Sequence, residues 1–200
     1  MKTPTVFLPG AGGSAEFWRP LATELVHEEN QLFSWPGLGN EGHSDKVRSL
    51  GDLVDLVAEQ IKAPVNVVAQ SMGGVVAVLL ARRKPELVKR MVLVATSAGI
   101  EMTNFGASDW RPEYRAAFPN AAHWIECVSM DLTEDLRRLN VPILLIWGDR
   151  DPISPVSVGE HLERLLPAAV LHVEPGGDHD VGVTHAHAIA ARVRSFLDGQ

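Results

Sequence analysis

The chain has 200 residues, of which 46% are hydrophobic and 22% are charged, and its formal net charge is -7 at pH 7. This length and composition are typical of one globular domain with a sizeable core and not of a disordered chain. The negative charge argues against a nucleic-acid partner, which requires a basic face, and no apolar stretch reaches the roughly 20 residues that span a bilayer.

Short apolar runs of strand type alternate with helical patterns along the chain. The runs that predict strands are residues 6–8, 32–35, 65–69, 91–95, 143–147 and 170–173. The first helix is expected to begin near Trp18, and apolar spacing predicts helices over 50–61, 123–139 and 189–197, the last with Thr184 as N-cap. This alternation predicts an α/β fold, with a mostly parallel sheet of about six strands and helices on both faces.

The alternation is interrupted once, between the fourth and fifth predicted strands. The aromatic-rich residues 98–122 are predicted to form a short cap insertion in a core made of residues 1–97 and 123–200. Because the insertion follows the C-terminal end of a strand, we expect it to cover a site there, with Trp110 and Tyr114 as candidate substrate-binding residues. The alternative is that its aromatic side chains only form a satellite core.

Ser71 lies at a sharp corner between a predicted strand and a predicted helix. The sequence VVAQSMGGVVA changes from a β-branched run to a helical pattern within residues 70–74, which exposes the serine hydroxyl at the end of the strand. The helix that follows supplies backbone N–H groups and the positive end of its dipole. The alternative is a turn serine that only caps the helix.

Ligands of open parallel sheets bind beyond the carboxyl ends of the strands, so the residues after each run are informative. Those segments are PGAGGS (9–14), PGLGNEGHSD (36–45), Ser71, GDRDPISP (148–155) and PGGDHD (175–180). A serine, an acid and a histidine therefore follow three separate strands. A serine nucleophile needs an imidazole base, and the imidazole needs a carboxylate that orients it. The backbone N–H groups of Ala11 and Met72 are the natural donors to a developing oxyanion.

Four motifs resemble those of the α/β-hydrolase superfamily, and together they cover nearly the whole chain. AQSMG resembles the nucleophile elbow, LPGAGGSAEFW the oxyanion loop, WGDRDPISP the acid loop and GGDHDVGVTH the histidine loop. The resemblance implies that Ser71 is the nucleophile, Asp151 the acid and His179 the base. The branch that the sequence resembles is that of small esterases and thioesterases, such as the pimeloyl-ester carboxylesterases.

Other side chains compete for the acid and base roles. Asp149 lies on the same loop as Asp151, but we expect it to satisfy backbone donors in the turn, and Glu101 is a second alternative acid. His43 lies in the loop after the second strand and is a further candidate base near the site; the alternative is an ordinary loop histidine. His185 and His187, near the start of the last helix, are expected to be surface or capping residues.

The sequence predicts neither a metal nor another cofactor. His185 and His187 are two residues apart and point to different faces of a helix, so they do not form a chelate. The glycine-rich segments lack both the GK[ST] ending and the G-x-G-x-x-G spacing of nucleotide loops. The single cysteine, Cys127, cannot form an internal disulfide, has no obvious base, and is predicted to pack in the interior.

These features predict a serine hydrolase that cleaves a carboxylic ester or thioester of a small to medium apolar substrate through an acyl-enzyme. Carbon–carbon bond hydrolysis and perhydrolysis with the same triad are alternatives, and so is a non-catalytic ligand-binding protein of this fold. We expect a cytoplasmic protein, because MKTPTVFLPG enters a strand almost at once and leaves no room for a signal peptide. The sequence carries no signal of oligomeric state.

Overall fold

The computed structural model describes residues 3–25 and 29–200. Residues 1 and 2, with which the segment MKTPTVFLPG and the predicted core begin, lie outside the described residues, and so do residues 26–28. Within the described ranges, six parallel strands form one sheet in the order β2-β1-β3-β4-β5-β6. The strands are β1 (Thr5–Leu8), β2 (Asn30–Leu32), β3 (Val65–Gln70), β4 (Val88–Val94), β5 (Ile143–Gly148) and β6 (Ala169–Glu174).

Helices cover both faces of this sheet. They are α1 (Arg19–Glu24), α2 (Leu50–Gln60), α3 (Met72–Arg83), α4 (Arg111–Ala117), α5 (Thr133–Arg137), α6 (Val156–Leu165), α7 (Val181–Thr184) and α8 (Ala186–Asp198). One hydrophobic cluster contains buried side chains of α2, α3 and α6, and a second contains those of α1, α7 and α8. The predicted α/β fold, with a mostly parallel sheet between two helical layers, is therefore confirmed.

The central strand β3 shows how the sequence builds this core. Val67 and Ala69 belong to the cluster on one face of the sheet, whereas Val68 belongs to the cluster on the other face. All six residues of β3 are buried, because side chains of a strand alternate between faces and both faces are covered here. Burial of each valine stabilises the fold by roughly 1.5–3 kcal/mol. The end of β3 that carries Ser71 is consequently held in the middle of the sheet.

The second strand lies earlier in the chain than predicted. The apolar run 32–35 was expected to be a strand, but β2 covers Asn30–Leu32 and pairs only with β1. Phe33 and Trp35 are buried and follow the end of β2. The Phe33 N–H still donates to the Phe7 carbonyl of β1 at 3.0 Å, and the Trp35 indole donates to the Pro9 carbonyl at 2.7 Å. Both side chains belong to the hydrophobic cluster that contains α2, α3 and α6, so their hydrophobicity reflects core packing beyond the end of the strand.

Three further local predictions are wrong. Residues 123–139 do not form one helix: a 3-10 turn covers His123–Cys127, extended backbone follows, and α5 begins only at Thr133, whose N–H binds the Asp131 carboxylate. Cys127 is exposed and not packed in the interior. Thr184 is the last residue of α7 and does not cap α8, because its hydroxyl donates to the Asp180 carbonyl one turn earlier.

Candidate active site

Ser71 occupies a strained corner between β3 and α3. Its φ is 51° and its ψ is -122°, a conformation that costs a non-glycine residue about 1–3 kcal/mol and persists only when its surroundings enforce it. The Ser71 N–H donates to the Val94 carbonyl at 3.0 Å, and its carbonyl accepts the Thr96 hydroxyl at 2.6 Å. The end of β4 therefore holds the predicted nucleophile in place.

His179 and Asp151 form a hydrogen-bonded pair across two loops. Nδ1 of His179 lies 2.8 Å from Oδ2 of Asp151, and the carboxylate is fully buried while the ring is 18% exposed. The other oxygen, Oδ1, accepts the backbone N–H groups of Ile153 at 2.8 Å and Ser154 at 2.9 Å. These fixed donors set the position of the carboxylate, which in turn orients the imidazole with Nε2 available.

The competing acids have other partners. Oδ1 of Asp149 accepts the Gly176 N–H at 2.7 Å, so the prediction that this side chain satisfies a backbone donor is confirmed. Glu101 is exposed and accepts both the hydroxyl and the N–H of Thr103; these bonds hold the pKa of its carboxyl below the usual value. Neither carboxylate is hydrogen-bonded to the His179 ring.

The other candidate histidines lie away from this pair. His43 is exposed and faces Asp45, and it does not line the cavity that contains Ser71. His185 is half-buried, precedes α8 as its N-cap residue and bonds to the Thr184 hydroxyl, whereas His187 is exposed and pairs with Glu24. This agrees with the expected surface or capping positions. Among residues 3–25 and 29–200, no group of three or more His, Cys, Asp or Glu side chains is arranged to hold a metal.

Ser71 and His179 line one cavity of about 540 Å³. This volume lies within the range of roughly 300–1,000 Å³ that is usual for small-molecule sites. No hydrogen bond joins the Ser71 hydroxyl to the His179 ring among the described contacts, and such bonds often close only with substrate. The wall of the cavity that residues 102–128 form is largely apolar and includes Met102, Trp110, Tyr114, Phe118, Ile125 and Val128.

The predicted oxyanion donors, Ala11 and Met72, line the same cavity. Met72 is the first residue of α3, so its N–H lies at the positive end of the helix. Ala11 lies in a turn that the Gly13 N–H closes onto the Gly10 carbonyl at 3.0 Å. The Tyr114 hydroxyl donates to the Ala11 carbonyl at 3.0 Å. Both predicted substrate-binding aromatic residues, Trp110 and Tyr114, line the cavity.

Gln70 was not singled out from the sequence, yet it joins two loops of the site. It is 4% exposed, and its amide nitrogen donates to the His179 carbonyl at 3.3 Å. Its Oε1 approaches the oxyanion loop so closely that a Cβ placed on Gly10 would lie 2.3 Å from it. A polar residue at the end of a buried strand, directly before the serine, was the signal in the sequence.

Three charged side chains line the cavity, namely Arg111, Glu113 and Asp180. The Arg111 guanidinium pairs with the Asp109 carboxylate and donates to the Glu126 backbone carbonyl. Asp180 is exposed, but partial desolvation raises the pKa of its carboxyl. The His179 ring opposes this shift, and the Asp178 and Asp151 carboxylates add to it. The sequence DHD showed that an acid followed His179, but not that it lies at the cavity.

Comparisons with known proteins agree with this architecture. A family model described as the alpha/beta hydrolase family matches residues 5–125, and one described as TAP-like protein matches residues 113–199. A pimeloyl-[acyl-carrier protein] methyl ester esterase of Neisseria meningitidis serogroup B is 28% identical over 83% of this chain and 84% of the relative. One of Edwardsiella ictaluri is 25% identical over 100% of this chain and 95% of the relative.

The structure is also similar to solved structures. A thermophilic esterase from Thermogutta terrifontis superimposes with a TM-score of 0.81 and 18% identity, over 99% of this chain and 90% of the other. A hydrolase from Pseudomonas aeruginosa has a TM-score of 0.80 and 20% identity, over 100% of this chain and 91% of the other. At these identities the likeness concerns the fold.

Proposed function

Because this chain belongs to the alpha/beta hydrolase family and is a hydrolase, we propose that it is a serine hydrolase in which Ser71, His179 and Asp151 form the catalytic triad. The observation that carries the proposal is the His179–Asp151 hydrogen bond of 2.8 Å beside the strained Ser71, at the wall of one cavity. A merely structural serine at a turn would not need a buried acid and an oriented imidazole next to it.

Each residue of the triad has a defined chemical task. Nε2 of His179 removes the proton from the Ser71 hydroxyl as the oxygen attacks the substrate carbonyl, which gives a tetrahedral intermediate. The alcohol or thiol then leaves with the proton held by His179, and an acyl-enzyme on Ser71 remains. Water, deprotonated by the same imidazole, hydrolyses the acyl-enzyme and restores the serine. Asp151 keeps the imidazole in the correct tautomer and stabilises its protonated form.

The N–H groups of Ala11 and Met72 form the proposed oxyanion hole. Both residues line the cavity beside Ser71, and one of them lies at a helix N-terminus. Loss of a single donor of this kind typically costs about 2.7–4 kcal/mol of transition-state stabilisation. Because both donors belong to the backbone, the packing that holds the two segments controls this contribution.

The cavity supports a small to medium apolar ester or thioester as substrate. Its volume of about 540 Å³ suits a small molecule, and its cap side is lined mainly by apolar and aromatic side chains. The relatives named as methyl ester esterases support ester cleavage in particular. We propose that the cap predicted over residues 98–122 provides much of the acyl contact, together with Ile125 and Val128 beyond its predicted end.

Covalent labelling tests this function directly. Incubation with a fluorophosphonate, followed by intact-mass spectrometry and peptide mapping, is expected to give one adduct on Ser71 that is lost in Ser71→Ala and strongly reduced in His179→Ala. Turnover of an activated ester should fall by at least about 1,000-fold in both variants, since these residues act as a unit. Circular dichroism checks that the variants are folded.

Failure has a clear signature. A folded protein that gives no adduct, or ester turnover that persists in Ser71→Ala, contradicts the triad. Labelling of Ser71 with cleavage of a carbon–carbon bond in a β-diketone, but not of esters, keeps the triad and replaces the proposed substrate class.

A further inference from the structure

The hydroxyl of Tyr114 lies where three segments of the chain meet. It donates to the Ala11 carbonyl of the oxyanion loop at 3.0 Å and accepts the Gly39 N–H of the loop after β2 at 3.1 Å. The side chain itself belongs to α4 of the cap, and the residue is 8% exposed. Its one O–H donor is therefore already used within the protein and is not free to bind a substrate.

The oxyanion loop and the loop after β2, which the Tyr114 hydroxyl joins, are also in direct backbone contact with each other. A Cβ placed on Gly39 would lie 1.9 Å from the Gly12 carbonyl oxygen, so no side chain separates the two loops. Trp35 adds a second connection through its indole, which donates to the Pro9 carbonyl at 2.7 Å. The loop that carries Ala11 is thus held in place by the loop after β2. Among the described residues, Tyr114 alone connects this loop to the cap by a side-chain hydrogen bond.

Two consecutive peptide units of the oxyanion loop are fixed by different partners. The unit that contains the Ala11 N–H also contains the Gly10 carbonyl, which accepts the Gly13 N–H at 3.0 Å. The next unit contains the Ala11 carbonyl, which takes no part in that turn and accepts the Tyr114 hydroxyl instead. With both units fixed, the direction of the Ala11 N–H is determined.

From this arrangement we propose that Tyr114 is a positioning residue for the oxyanion hole. Through its hydroxyl, the position of cap helix α4 determines the orientation of the Ala11 N–H. The inference rests on the proposed function. The prediction that Tyr114 is a substrate-binding residue then concerns its ring, which lines the cavity between Trp110 and Phe118.

The environment of the phenol suits this role. Burial raises the pKa of Tyr114, and the negative charge of Glu126 adds to the shift, while the Gly39 N–H opposes it. The phenol consequently stays protonated at neutral pH and keeps its hydrogen bond to the Ala11 carbonyl.

The test is Tyr114→Phe, which removes the hydroxyl and keeps the ring in the cavity. With a short-chain p-nitrophenyl ester, we expect kcat to fall about 10-fold and KM to change less than about twofold, because a misaligned donor weakens only the transition state. The inhibition constant of a trifluoromethyl ketone, which forms a tetrahedral adduct with serine, should rise by the same factor as kcat/KM falls.

Ser157→Ala is the matched control. The Ser157 hydroxyl also donates to a backbone carbonyl of the segment between β4 and β5, that of Phe105, at 3.2 Å, but Ser157 does not line the cavity. We expect kcat and KM to stay unchanged in this variant. An equal loss of kcat in Ser157→Ala would show that general loosening of the cap is the cause, and the inference would be wrong.

The remaining outcomes are also decisive. An unchanged kcat in Tyr114→Phe, or a raised KM with kcat retained, overturns the positioning role. The proposed function is tested separately, since it fails only if wild-type turnover is absent or survives in Ser71→Ala. A result in which Ser71→Ala is inactive and Tyr114→Phe is fully active therefore contradicts this inference alone.

A second measurement applies if Tyr114→Phe does not fold. Tyr114 is the only tyrosine of the chain, so uniform incorporation of 3-fluorotyrosine changes this one phenol and retains its hydroxyl. Fluorination makes the phenol a stronger donor to the Ala11 carbonyl and a weaker acceptor from Gly39. We expect a change in kcat with KM preserved; a change in KM with kcat preserved would instead identify the phenol as a substrate contact.

Discussion

At the scale of single residues, the site depends on polar groups whose partners are fixed. Thr96 is fully buried, and its hydroxyl both donates to the Ser71 carbonyl and accepts the Ala98 N–H at 2.9 Å. Asp151 likewise accepts two backbone N–H groups besides the His179 ring. Such networks stabilise the fold when every member is paired, and they hold the strained serine at the end of β3.

Asp180 differs from these groups because the residue is exposed and yet partial desolvation of its carboxyl raises the pKa. The fold thus favours its neutral form, and the stability that this form contributes is fully present below the unfolded pKa, near 3.8, and is lost as the pH rises through the higher folded pKa. Asp180→Asn is neutral at every pH. We expect the variant to have a higher free energy of unfolding than the wild type at pH 7, with a smaller difference at pH 4.

Urea unfolding at the two pH values checks this prediction. Glu160→Gln, at an exposed position of α6, controls for the removal of one negative charge from a chain with a net charge of -7. If Asp180→Asn and Glu160→Gln change the free energy of unfolding equally at both pH values, the partial desolvation of the Asp180 carboxyl has no energetic effect.

At the scale of elements, the site consists of loops that are connected to one another by side-chain hydrogen bonds and close contacts. Gln70 connects the histidine loop to the oxyanion loop through its amide, and Asp149 connects the acid loop to the segment before His179. Tyr114 joins α4 to the loop that contains Ala11. The proposed catalytic groups consequently depend on contacts between segments that are distant in the sequence.

Gln70→Leu tests the brace between the histidine and oxyanion loops. The leucine has a similar size but leaves the His179 carbonyl without its amide partner, so we expect a loss of about 1–3 kcal/mol in the free energy of unfolding. We also expect a fall in kcat, because His179 and the oxyanion loop lose their shared contact. Urea unfolding and an esterase assay measure the two effects.

Gln60→Leu is the matched control for this prediction. Gln60 also makes an amide hydrogen bond, to Gln31 at 2.7 Å, but this pair is exposed and lies outside the cavity. Surface changes of this kind usually alter stability by less than about 0.5 kcal/mol. A wild-type kcat in Gln70→Leu would show that the amide has no part in alignment.

At the scale of the whole molecule, the strand order brings the functional loops together. The sheet order places β3 between β1 and β4, so the oxyanion loop after β1 lies beside Ser71 after β3. The loops of Asp151 and His179 follow β5 and β6, which pair with each other. All of these loops leave the carboxyl edge of one parallel sheet, the usual place for a site in this class of fold. No helix among residues 3–25 and 29–200 is long and apolar enough to cross a bilayer.

The core that carries this edge should respond strongly to a cavity in its centre. Leu93 on β4 is fully buried and lies in register with Ala69 and Leu145 of the neighbouring strands. We expect Leu93→Ala to lower the free energy of unfolding by about 2–5 kcal/mol in a urea titration. Val170→Ala on the edge strand β6, where the side chain is 60% exposed, should cost less than about 0.5 kcal/mol. Similar losses in both variants would contradict the central position of β4 in the core.

Much of the fold could be predicted because its signals are local. β-branched runs, apolar spacing and the corner at Ser71 placed most strands, the helix over Leu50–Gln60 and the exposed serine at the correct edge. Errors arose where tertiary packing overrides local pattern. Phe33 and Trp35 pack in the core beyond the end of β2, and the residues around Cys127 form a short 3-10 turn and not an α-helix.

The sequence by itself determined the fold class and the order of a serine, an acid and a histidine after successive strands, because side-chain period and turn chemistry act over a few residues. Only the tertiary structure decided which groups meet. Asp151 contacts His179 across 28 residues, and Tyr114 contacts Ala11 across 103. A hydrogen bond depends on distances of a few tenths of an ångström between such segments, and that geometry is set by the packing of the whole domain.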